Sequence, residues 1–525
     1  MKNPTVTLCP ADDCGGIFAD ALNKLAAIDG AKKLVLSPGV YRFDKKSAIQ
    51  KYLPVSNTIS QSEQQTKHIG LLLENIDDLT IEGNGARLLM NGDMSAVVLK
   101  NCRNISLLDL VVDYLRPRIS EMTVIKVDGM TAEFKIHADS PWLIEDGRFY
   151  WVNADGIMEK GLSGLVVQCA APGNTSNLRS AFNPVNEAVS VEVTGENILR
   201  FTYESAVELK LGEVWQFRDP SRRENGIVID NCENITLEGL SLGFTPGLGI
   251  VAQMSRDLTI RHHRHAPLPG SGRVCAAHAD CIQISSCYGN VEIADGFFSG
   301  SQDDPINVHG TYLGVEKVDG NSVVVRFCQQ ETWGWLPFKV GDEVCFVRRK
   351  DILQTTVCVV KEAVMLDPFH VKLLLDKEFA PDDDVEYVLE NLSANPDVYI
   401  HDCIFECYPT RGVLLTSSGK CRICNNEFRQ TAARPAVFIS ADVNSWYESG
   451  AVRDVEISGN LFRFCQAASV EVFPKCPQPG SVAIHRNIRV FDNSFDDCAV
   501  PRLAYLSVDD LQSDIPTEFI KNLAE

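Results

Sequence analysis

Residues 233–262, ENITLEGLSLGFTPGLGIVAQMSRDLTIRH, contain one short pattern twice, and this pattern decides the fold. In each copy two apolar residues alternate with polar ones, as Ile235 and Leu237 do. Eight segments follow the pattern: 77–83, 103–109, 233–239, 256–262, 289–295, 419–425, 453–459 and 486–492. Within each run of copies the spacing is 23 to 34 residues. Short strands at such a period bury their apolar face only by stacking on neighbouring copies, which predicts an all-β fold, a right-handed parallel β-helix.

Two long stretches interrupt the copies and predict inserted modules. Both contain Lys-Val-Asp-Gly between stretches of alternating apolar and polar residues. Turn signals between such stretches are typical of antiparallel sheets, so we expect two related β-barrel-like modules that wall the site. A helical pattern at 17–28 predicts a cap over the open end of the coil. The predicted order is N-terminal cap and first strands 1–69, first β-helix segment 70–116, inserted module 1 117–224, second β-helix segment 225–313, inserted module 2 314–396, third β-helix segment 397–500 and C-terminal tail 501–525.

Charge and composition limit the partners of the chain. Its 525 residues carry a formal charge of −21, and this acidity leaves no basic stripe to neutralise phosphates. We therefore expect no nucleic acid as a partner, and a neutral sugar fits better. No apolar run reaches the roughly 18 residues of a membrane helix, so no membrane partner is expected. The sequence opens without a signal-peptide pattern and places cysteines in apolar slots, which predicts a cytoplasmic protein, or an exported one if the sequence is truncated.

Acidic side chains gather in residues 277–312, AHADCIQISSCYGNVEIADGFFSGSQDDPINVHGTY. Asp280 precedes one predicted strand, and Asp303 and Asp304 follow the next. Rungs of a β-helix stack about 4.8 Å apart, so we expect the three carboxyl groups to meet on one face. Glycoside hydrolysis needs two carboxyl groups roughly 5 to 9.5 Å apart, one as acid and one as base or nucleophile. The alternative is that the doublet is a solvated turn before Pro305.

Other residues are predicted to bind a sugar around this cluster. The candidates are His278, Gln302, Asn307, His309, Trp333, Arg411, Trp446 and Glu448. An aromatic face can stack on a sugar ring, and polar groups can bind its hydroxyls or hold a catalytic carboxylate in its rotamer. Loop packing is the alternative for Trp446 and Glu448. For Arg411 the alternative is a surface salt bridge, and for Trp333 it is packing inside the second module.

Longer motifs make the chain resemble a known family. They are HADCIQISSCYGNVEIADGFFSGSQDDPINVHGTY at 278–312, NPDVYIHDCIF at 395–405, PTRGVLLTSSGKCRICNNEF at 409–428 and ISADVNSWYESGAVRDVEISGNLF at 439–462. On these motifs the chain resembles glycoside hydrolase family 110, exo-acting α-1,3-galactosidases that cleave terminal galactose from blood-group-B-like glycans. The resemblance implies a parallel β-helix with inserted β-barrel modules and an inverting mechanism without a metal. It also implies catalytic aspartates at Asp280, Asp303 and Asp304.

The expected function is an exo-glycosidase that releases terminal α-1,3-linked galactose with inversion, acting on a glycan that ends in α-galactose. We expect Asp280 and Asp304 to act on opposite sides of the reaction, with Asp303 assisting as a second base or hydroxyl ligand. Two alternatives stay open: a polygalacturonase or polysaccharide lyase on the same coil, and a non-catalytic carbohydrate-binding β-helix. No metal or other cofactor is expected, because the ligand-like spacing of Cys421 and Cys424 has no matching second pair. The oligomeric state stays open, a homo-oligomer included.

Overall fold

The computed structural model describes residues 4–58, 65–152, 166–218, 221–431 and 434–520. The chain winds into a coil of parallel strands, and two antiparallel modules interrupt it. The predicted all-β architecture, a parallel β-helix with inserted modules, is confirmed.

Two sheets form the coil. The first, which we call the long sheet, has twenty strands, all paired in parallel. Its strands are Thr5–Leu8, Lys32–Leu36, Val40–Asp44, Asp77–Asn91, Arg103–Tyr114, Glu233–Glu238, Ser241–Leu242, Arg256–Arg261, Arg264–His265, Tyr288–Ala294, Phe297–Ser299, Asp397–His401, Ile404–Glu406, Lys420–Cys424, Glu427–Arg429, Asp454–Ser458, Leu461–Arg463, His485–Phe491, Ser494–Asp496 and Val508–Ser513.

The second sheet of the coil, which we call the site sheet, has thirteen strands. They are Ile49–Tyr52, Thr66–Glu74, Ser95–Lys100, Ile227–Asp230, Ile250–Gln253, Ile282–Ser285, Ile306–Thr311, Val413–Thr416, Val437–Ile439, Glu448–Ser449, Val470–Val472, Leu503–Tyr505 and Thr517–Phe519. The pairing is parallel apart from the first strand and the short strand Glu448–Ser449, which pair antiparallel with their neighbours.

Apolar side chains of the repeated segments stack from rung to rung inside the coil. Ile235 pairs in register with Leu258, and Leu258 pairs with Val291. Phenylalanines form a second stack, in which the rings of Phe298 and Phe405 lie parallel with their centroids 5.2 Å apart. Each rung buries its apolar residues against the next, so the coil is one continuous core.

The coil extends beyond its predicted limits at both ends. At the start, Lys32–Leu36 pairs in parallel with Asp77–Asn91, so strands in the region predicted as N-terminal cap and first strands already belong to the coil. At the end, Val508–Ser513 pairs in parallel with His485–Phe491, where a tail was predicted. One apolar slot of the pattern holds a polar residue in each of these outer strands, a lysine and a serine respectively. The repeated pattern therefore does not mark them.

The helix Gly15–Ala26 covers the N-terminal end of the coil, as its amphipathic pattern predicts. It buries Phe18, Leu22 and Leu25, and the ring of Phe18 lies 5.7 Å from that of Tyr41. Two single 3-10 turns, Lys45–Ser47 and Pro172–Asn174, complete the helical structure of the described residues. No helix among these residues is long and apolar enough to cross a membrane.

The two inserted modules differ in how they close. Module 2 is a closed six-stranded barrel of Leu313–Asp319, Ser322–Phe327, Glu343–Arg348, Leu353–Met365, His370–Leu375 and Tyr387–Asn391. Module 1 holds a seven-stranded antiparallel sheet of Ser120–Asp128, Thr131–Ile136, Val166–Ala170, Asn177–Arg179, Ala188–Gly195, Ile198–Tyr203 and Val214–Arg218, with a hairpin of Trp142–Glu145 and Arg148–Trp151. Within the described residues this sheet ends in two open edges, so a closed barrel is present in the second module alone.

None of the eighteen cysteines, all of which lie in the described residues, forms a disulfide bond. Cys102 and Cys232 are buried in neighbouring rungs, and Cys421 pairs in register with Val398 and Val455. Cys102, Cys232 and Cys421 therefore act as small apolar residues of the coil.

Candidate active site

The predicted carboxyl cluster forms on the face of the site sheet. Asp280, Asp304 and Arg411 each lie two residues before a site-sheet strand, and these three strands pair in register. The Cys281 backbone N–H donates to the Asp304 carbonyl over 3.2 Å. Asp280 and Asp304 therefore occupy the same slot on adjacent rungs, about 4.8 Å apart along the coil. Asp303 precedes Asp304 in the same turn.

Asp304 is held by Arg411. The backbone N–H of Arg411 donates to one carboxylate oxygen over 2.9 Å, and its guanidinium donates to the other. The Asp304 side chain is 1% exposed, and burial raises its pKa above the usual range. Arg411 opposes this rise, while the charge of Asp303 adds to it. The ion pair fixes the position of the Asp304 carboxyl group.

Asp303 interacts with a cation from module 1. The Arg179 guanidinium donates to an Asp303 carboxylate oxygen over 3.0 Å. Burial alone raises the pKa of Asp303, but the surrounding arginines, Arg179 first among them, outweigh burial and hold this pKa below its usual range. Asp303 is therefore ionised at neutral pH.

Of the three aspartates, Asp280 lies in the environment that most favours a protonated carboxyl group. Its side chain is buried, and the Asn307 amide donates to it over 3.4 Å. Burial raises the pKa of Asp280 well above its usual range, and the charges of Asp303 and Asp304 raise it further. Asp280 is therefore the group of this set that most readily keeps a proton.

Glu448 adds a fourth carboxyl group. The Asn307 amide that contacts Asp280 also lies 3.2 Å from Glu448 Oε1. The strand Glu448–Ser449 pairs antiparallel with Ile306–Thr311, which fixes Glu448 beside the cluster. His309 lies behind it, with Nε2 3.8 Å from the same oxygen. Asn307 thus links the two carboxyl groups.

These groups line one cavity of about 590 Å³, including the open space at its mouth. The lining residues are Asn57, Arg179, Arg222, Asp280, Asp303, Asp304, Asn307, Arg411, Leu414, Phe438, Ser440, Asp442, Trp446, Glu448 and Lys475. Trp446 is 36% exposed, and the Arg222 guanidinium lies 5.4 Å from its ring centroid. Arg222 also pairs with Glu331 of module 2 at 2.7 Å. Module 2 therefore supports the cavity wall.

Seven of the eleven predicted site residues line this cavity: Asp280, Asp303, Asp304, Asn307, Arg411, Trp446 and Glu448. The other four, His278, Gln302, His309 and Trp333, are buried outside its lining.

His278 and Gln302 face module 1 instead of the cavity. His278 Nδ1 lies 3.3 Å from the Arg218 guanidinium, and the Gln302 amide donates to Gln216 over 2.8 Å. Both partners belong to Val214–Arg218, so these two residues connect the turns before Ile282–Ser285 and Ile306–Thr311 to the inserted sheet. Their polar side chains therefore contact module 1.

His309 and Trp333 also contact other parts of the protein and do not line the cavity. His309 Nδ1 donates to the Gly310 carbonyl over 2.7 Å, and its other nitrogen lies 3.2 Å from the Gln283 amide. Trp333 packs in the barrel core, with its ring 4.6 Å from that of Phe369. Packing inside module 2, the alternative given for Trp333, is therefore what the structure shows, and the prediction that Trp333 binds a sugar is corrected, because its large apolar ring is stabilised by burial.

Several cavity residues carry no signal in the sequence. Arg179 lies in module 1, Arg222 follows that module, and Asn57 lies in the segment before the first long strand of the site sheet. Lys475 follows the strand Val470–Val472 and lies 3.8 Å from Asp442. Each reaches the cavity only through tertiary packing, so no local pattern identifies it.

Comparisons with known proteins place the chain in a family. No family model matches it. "Alpha-1,3-galactosidase A" of Bacteroides fragilis is 33% identical over 490 residues, which cover 90% of this chain and 80% of the relative. The chain belongs to glycoside hydrolase family 110, the α-1,3-galactosidases. "Alpha-1,3-galactosidase A" of Bacteroides thetaiotaomicron is 32% identical, over 91% of this chain and 84% of that relative.

A solved structure gives a more distant likeness to this family 110 chain. It is the family 28 exopolygalacturonase of Yersinia enterocolitica, which is 11% identical with a TM-score of 0.36. The alignment covers 100% of this chain and 77% of that one.

Proposed function

We propose that this protein is an exo-acting glycoside hydrolase that releases terminal α-1,3-linked galactose with inversion of configuration. The observation that carries the proposal is the convergence of Asp280, Asp303 and Asp304 on one cavity with different charge environments. The relatives named α-1,3-galactosidase support galactose as the sugar that is released.

Inversion in a single step needs one carboxylic acid and one carboxylate. The acid protonates the departing glycosidic oxygen, and the carboxylate takes a proton from the attacking water. Coupled carboxyl groups titrate as a set. In the free protein this set keeps its proton on Asp280, because Arg179 favours the charged form of Asp303 and Arg411 holds Asp304 in an ion pair.

We assign Asp280 and Asp304 to opposite sides of the reaction, with Asp280 as acid and Asp304 as base. Asp303 assists as a second base or by binding a sugar hydroxyl. Glu448 and Asn307 lie beside Asp280 and can accept from and donate to hydroxyl groups. The exposed indole of Trp446 offers an apolar face to the sugar ring.

Proton NMR of the first product tests the reaction. Purified protein is mixed with α-galactosyl-1,3-galactose, and the anomeric signals are followed before mutarotation. The expected first product is β-galactose. An α-anomer would contradict inversion, and a lack of galactose release would contradict the proposed activity. Polygalacturonate serves as the control substrate, from which no product is expected.

We also propose that the protein works in a reducing compartment such as the cytoplasm. None of the eighteen cysteines forms a disulfide bond in the structure, whereas oxidising compartments favour disulfides. Thiol titration in denaturant without reductant is expected to find most of the eighteen thiols. Recovery of several disulfides would oppose this proposal.

A further inference from the structure

One column of outward-facing side chains runs along the site sheet and through the cavity. Its members pair in register from rung to rung, and inward-facing neighbours on either side of them belong to the core. In order along the coil they are Leu72, Val98, Val228, Val251, Gln283, Asn307, Leu414, Phe438, Glu471, Ala504 and Glu518. The first four members of the column are apolar, whereas two of the last three, Glu471 and Glu518, are acidic and at least partly exposed. Leu414, Phe438 and Ala504 in this second half are apolar and buried.

The N-terminal half of this column is covered by the chain itself. Residues 53–58, here called the cover segment, lie on it, and Leu53 and Val55 pack in one apolar cluster with Val228 and Val251. The Gln253 side-chain amide bonds to the cover segment twice. Its oxygen accepts from the Ser56 backbone N–H over 2.9 Å, and its nitrogen donates to the Pro54 carbonyl over 3.0 Å. A saccharide chain therefore has no path along the sheet on this side.

The cover segment ends at the cavity. Asn57 lines the cavity, and its backbone N–H donates to Thr332 of module 2 over 3.2 Å. This bond ties the segment to a second, separately folded element. The wall beside Asp280 is therefore built from main chain that is anchored at both ends.

The C-terminal half of the column is walled by side chains. Phe438, Ser440 and Lys475 line the cavity there. The Lys475 ammonium lies 5.9 Å from the Phe438 ring centroid, and the Lys475 side chain is 38% exposed. The column then continues with Glu471, which is partly exposed. A ligand that leaves the cavity in this direction can therefore contact Lys475 and Glu471.

We propose that the leaving-group glycan lies along these C-terminal rungs, and that Phe438, Lys475 and Glu471 form an acceptor subsite for neutral oligosaccharides. This inference rests on the proposed galactosidase function. The terminal galactose occupies the cavity against the cover segment, which also explains cleavage from the chain end.

The charges along the acceptor subsite favour a neutral acceptor. Lys475 and Glu471 carry opposite charges, and the next rungs carry the ion pair of Arg502 and Glu518 at 2.5 Å. Alternating donors and acceptors suit the hydroxyl groups of a neutral sugar. Phe438 offers part of an aromatic face under the first acceptor residue.

The experiment compares two substrates in three variants. The substrates are 4-nitrophenyl α-galactoside, which has no acceptor sugar, and a neutral trisaccharide that ends in α-galactosyl-1,3-galactose. The variants are Lys475→Met, Glu471→Gln and the matched control Lys51→Met. Lys51 lies on the same sheet at its covered N-terminal end, where it pairs with Glu74. The readout is the ratio of kcat/KM for the trisaccharide to kcat/KM for the nitrophenyl substrate.

We expect this ratio to fall by about tenfold in Lys475→Met and in Glu471→Gln, which corresponds to the loss of one hydrogen bond to the acceptor. In Lys51→Met the ratio is expected to equal that of the wild type. An unchanged ratio in both subsite variants, or a fall in Lys51→Met, would overturn the subsite. Absence of galactose release from both substrates by the wild type would instead overturn the proposed function, and the subsite with it.

Discussion

At the scale of single residues, Asp280, Asp303 and Asp304 line the same cavity but differ in their neighbours. Asp304 has an ion pair with Arg411 and Asp303 has one with Arg179, whereas Asp280 accepts from an amide and forms no ion pair within the described residues. Burial and like charge push the proton onto the group that lacks a paired cation. The proposed acid Asp280 therefore retains a proton more readily than Asp303 and Asp304 do.

The first prediction concerns Asp280→Asn and Asp304→Asn, which keep the shape and remove the charge. Each is expected to lower kcat on an α-1,3-linked disaccharide by ~10² or more, because acid or base catalysis is lost. The leaving group of 4-nitrophenyl α-galactoside needs little protonation. On this substrate Asp280→Asn is therefore expected to keep a larger fraction of the wild-type kcat than Asp304→Asn does. Steady-state kinetics on both substrates check this.

Asp295→Asn is the matched control for these variants. Asp295 lies at an exposed turn of the long sheet with φ 53°, a conformation that asparagine tolerates. Its kcat is expected to match that of the wild type. Near-normal turnover in both Asp280→Asn and Asp304→Asn would contradict the assigned mechanism.

The second prediction concerns the pH profile. Arg179 favours the charged form of Asp303 and so contributes to its lowered pKa. Removing this cation in Arg179→Met raises the pKa of Asp303, so the fall of kcat/KM on the acidic side begins at a higher pH. Arg179→Lys keeps the charge and is expected to shift the profile less. An acidic limb that stays in place in Arg179→Met would show that Asp303 need not be ionised for activity.

At the scale of elements, module 1 holds the turn that carries Asp303 and Asp304. Gln302 donates to Gln216 over 2.8 Å, and its backbone carbonyl accepts from Gln168 over 3.0 Å. Asn177 donates to the neighbouring Ser301 carbonyl over 3.3 Å. All of these residues are buried. The inserted sheet therefore positions the Asp303 and Asp304 turn from outside the coil.

The third prediction is a double-mutant cycle on this junction. Gln216→Leu leaves the buried Gln302 amide without its partner, which costs about 1 to 3 kcal/mol in the free energy of unfolding. Gln302→Leu is expected to cost a similar amount. The double variant is expected to recover most of the loss, because both buried polar groups are then absent. Urea unfolding of the three variants checks this, and simple additivity would contradict a direct bond between the two amides.

The elements were predictable to the extent that their signals are local. The coil follows from apolar pairs such as Ile235 and Leu237, whose inward faces repeat along the sequence. The outer strands are missed where one apolar slot is polar, as at Ser513, since only pairing with Val490 reveals its place. Arg179 is missed for a related reason, because the folding of an entire module brings it to Asp303.

The same limit explains the predicted residues that lie elsewhere. His278 and Gln302 are near Asp303 in the sequence, but their side chains face module 1. A strand pattern indicates on which side of the sheet a residue lies, whereas the direction of a side chain within a turn depends on contacts with distant segments. The prediction of the three aspartates needed only the stacking of rungs, which the repeat period supplies.

At the scale of the whole molecule, the coil buries ionisable groups in a core that has little capacity to hold their charge. The ring of His265 is fully buried in the long sheet, and burial lowers its pKa to about 4. His485 is buried near the other end of the coil, and burial lowers its pKa to about 3. Both rings are therefore neutral at pH 7. The stability of the coil depends on both rings staying neutral.

The fourth prediction follows from this linkage. Unfolding returns each ring to water, where its pKa is about 6.5, so below that pH the unfolded chain binds protons that the folded chain does not. The stabilising effect of the neutral rings is complete above pH 6.5 and is lost as the pH falls towards about 4 for His265. Between pH 7 and pH 5, His265 alone is expected to lower the free energy of unfolding by about 2 kcal/mol. His265→Gln has no titrating ring at this position. Urea unfolding of this variant is expected to show a smaller loss in the free energy of unfolding between pH 7 and pH 5, although the variant is less stable at pH 7.

The exposed His262 gives the matched variant His262→Gln, for which the pH dependence of the free energy of unfolding is expected to equal that of the wild type. An equal slope in the wild type and in His265→Gln would show that protonation of this ring does not limit the acid stability of the coil.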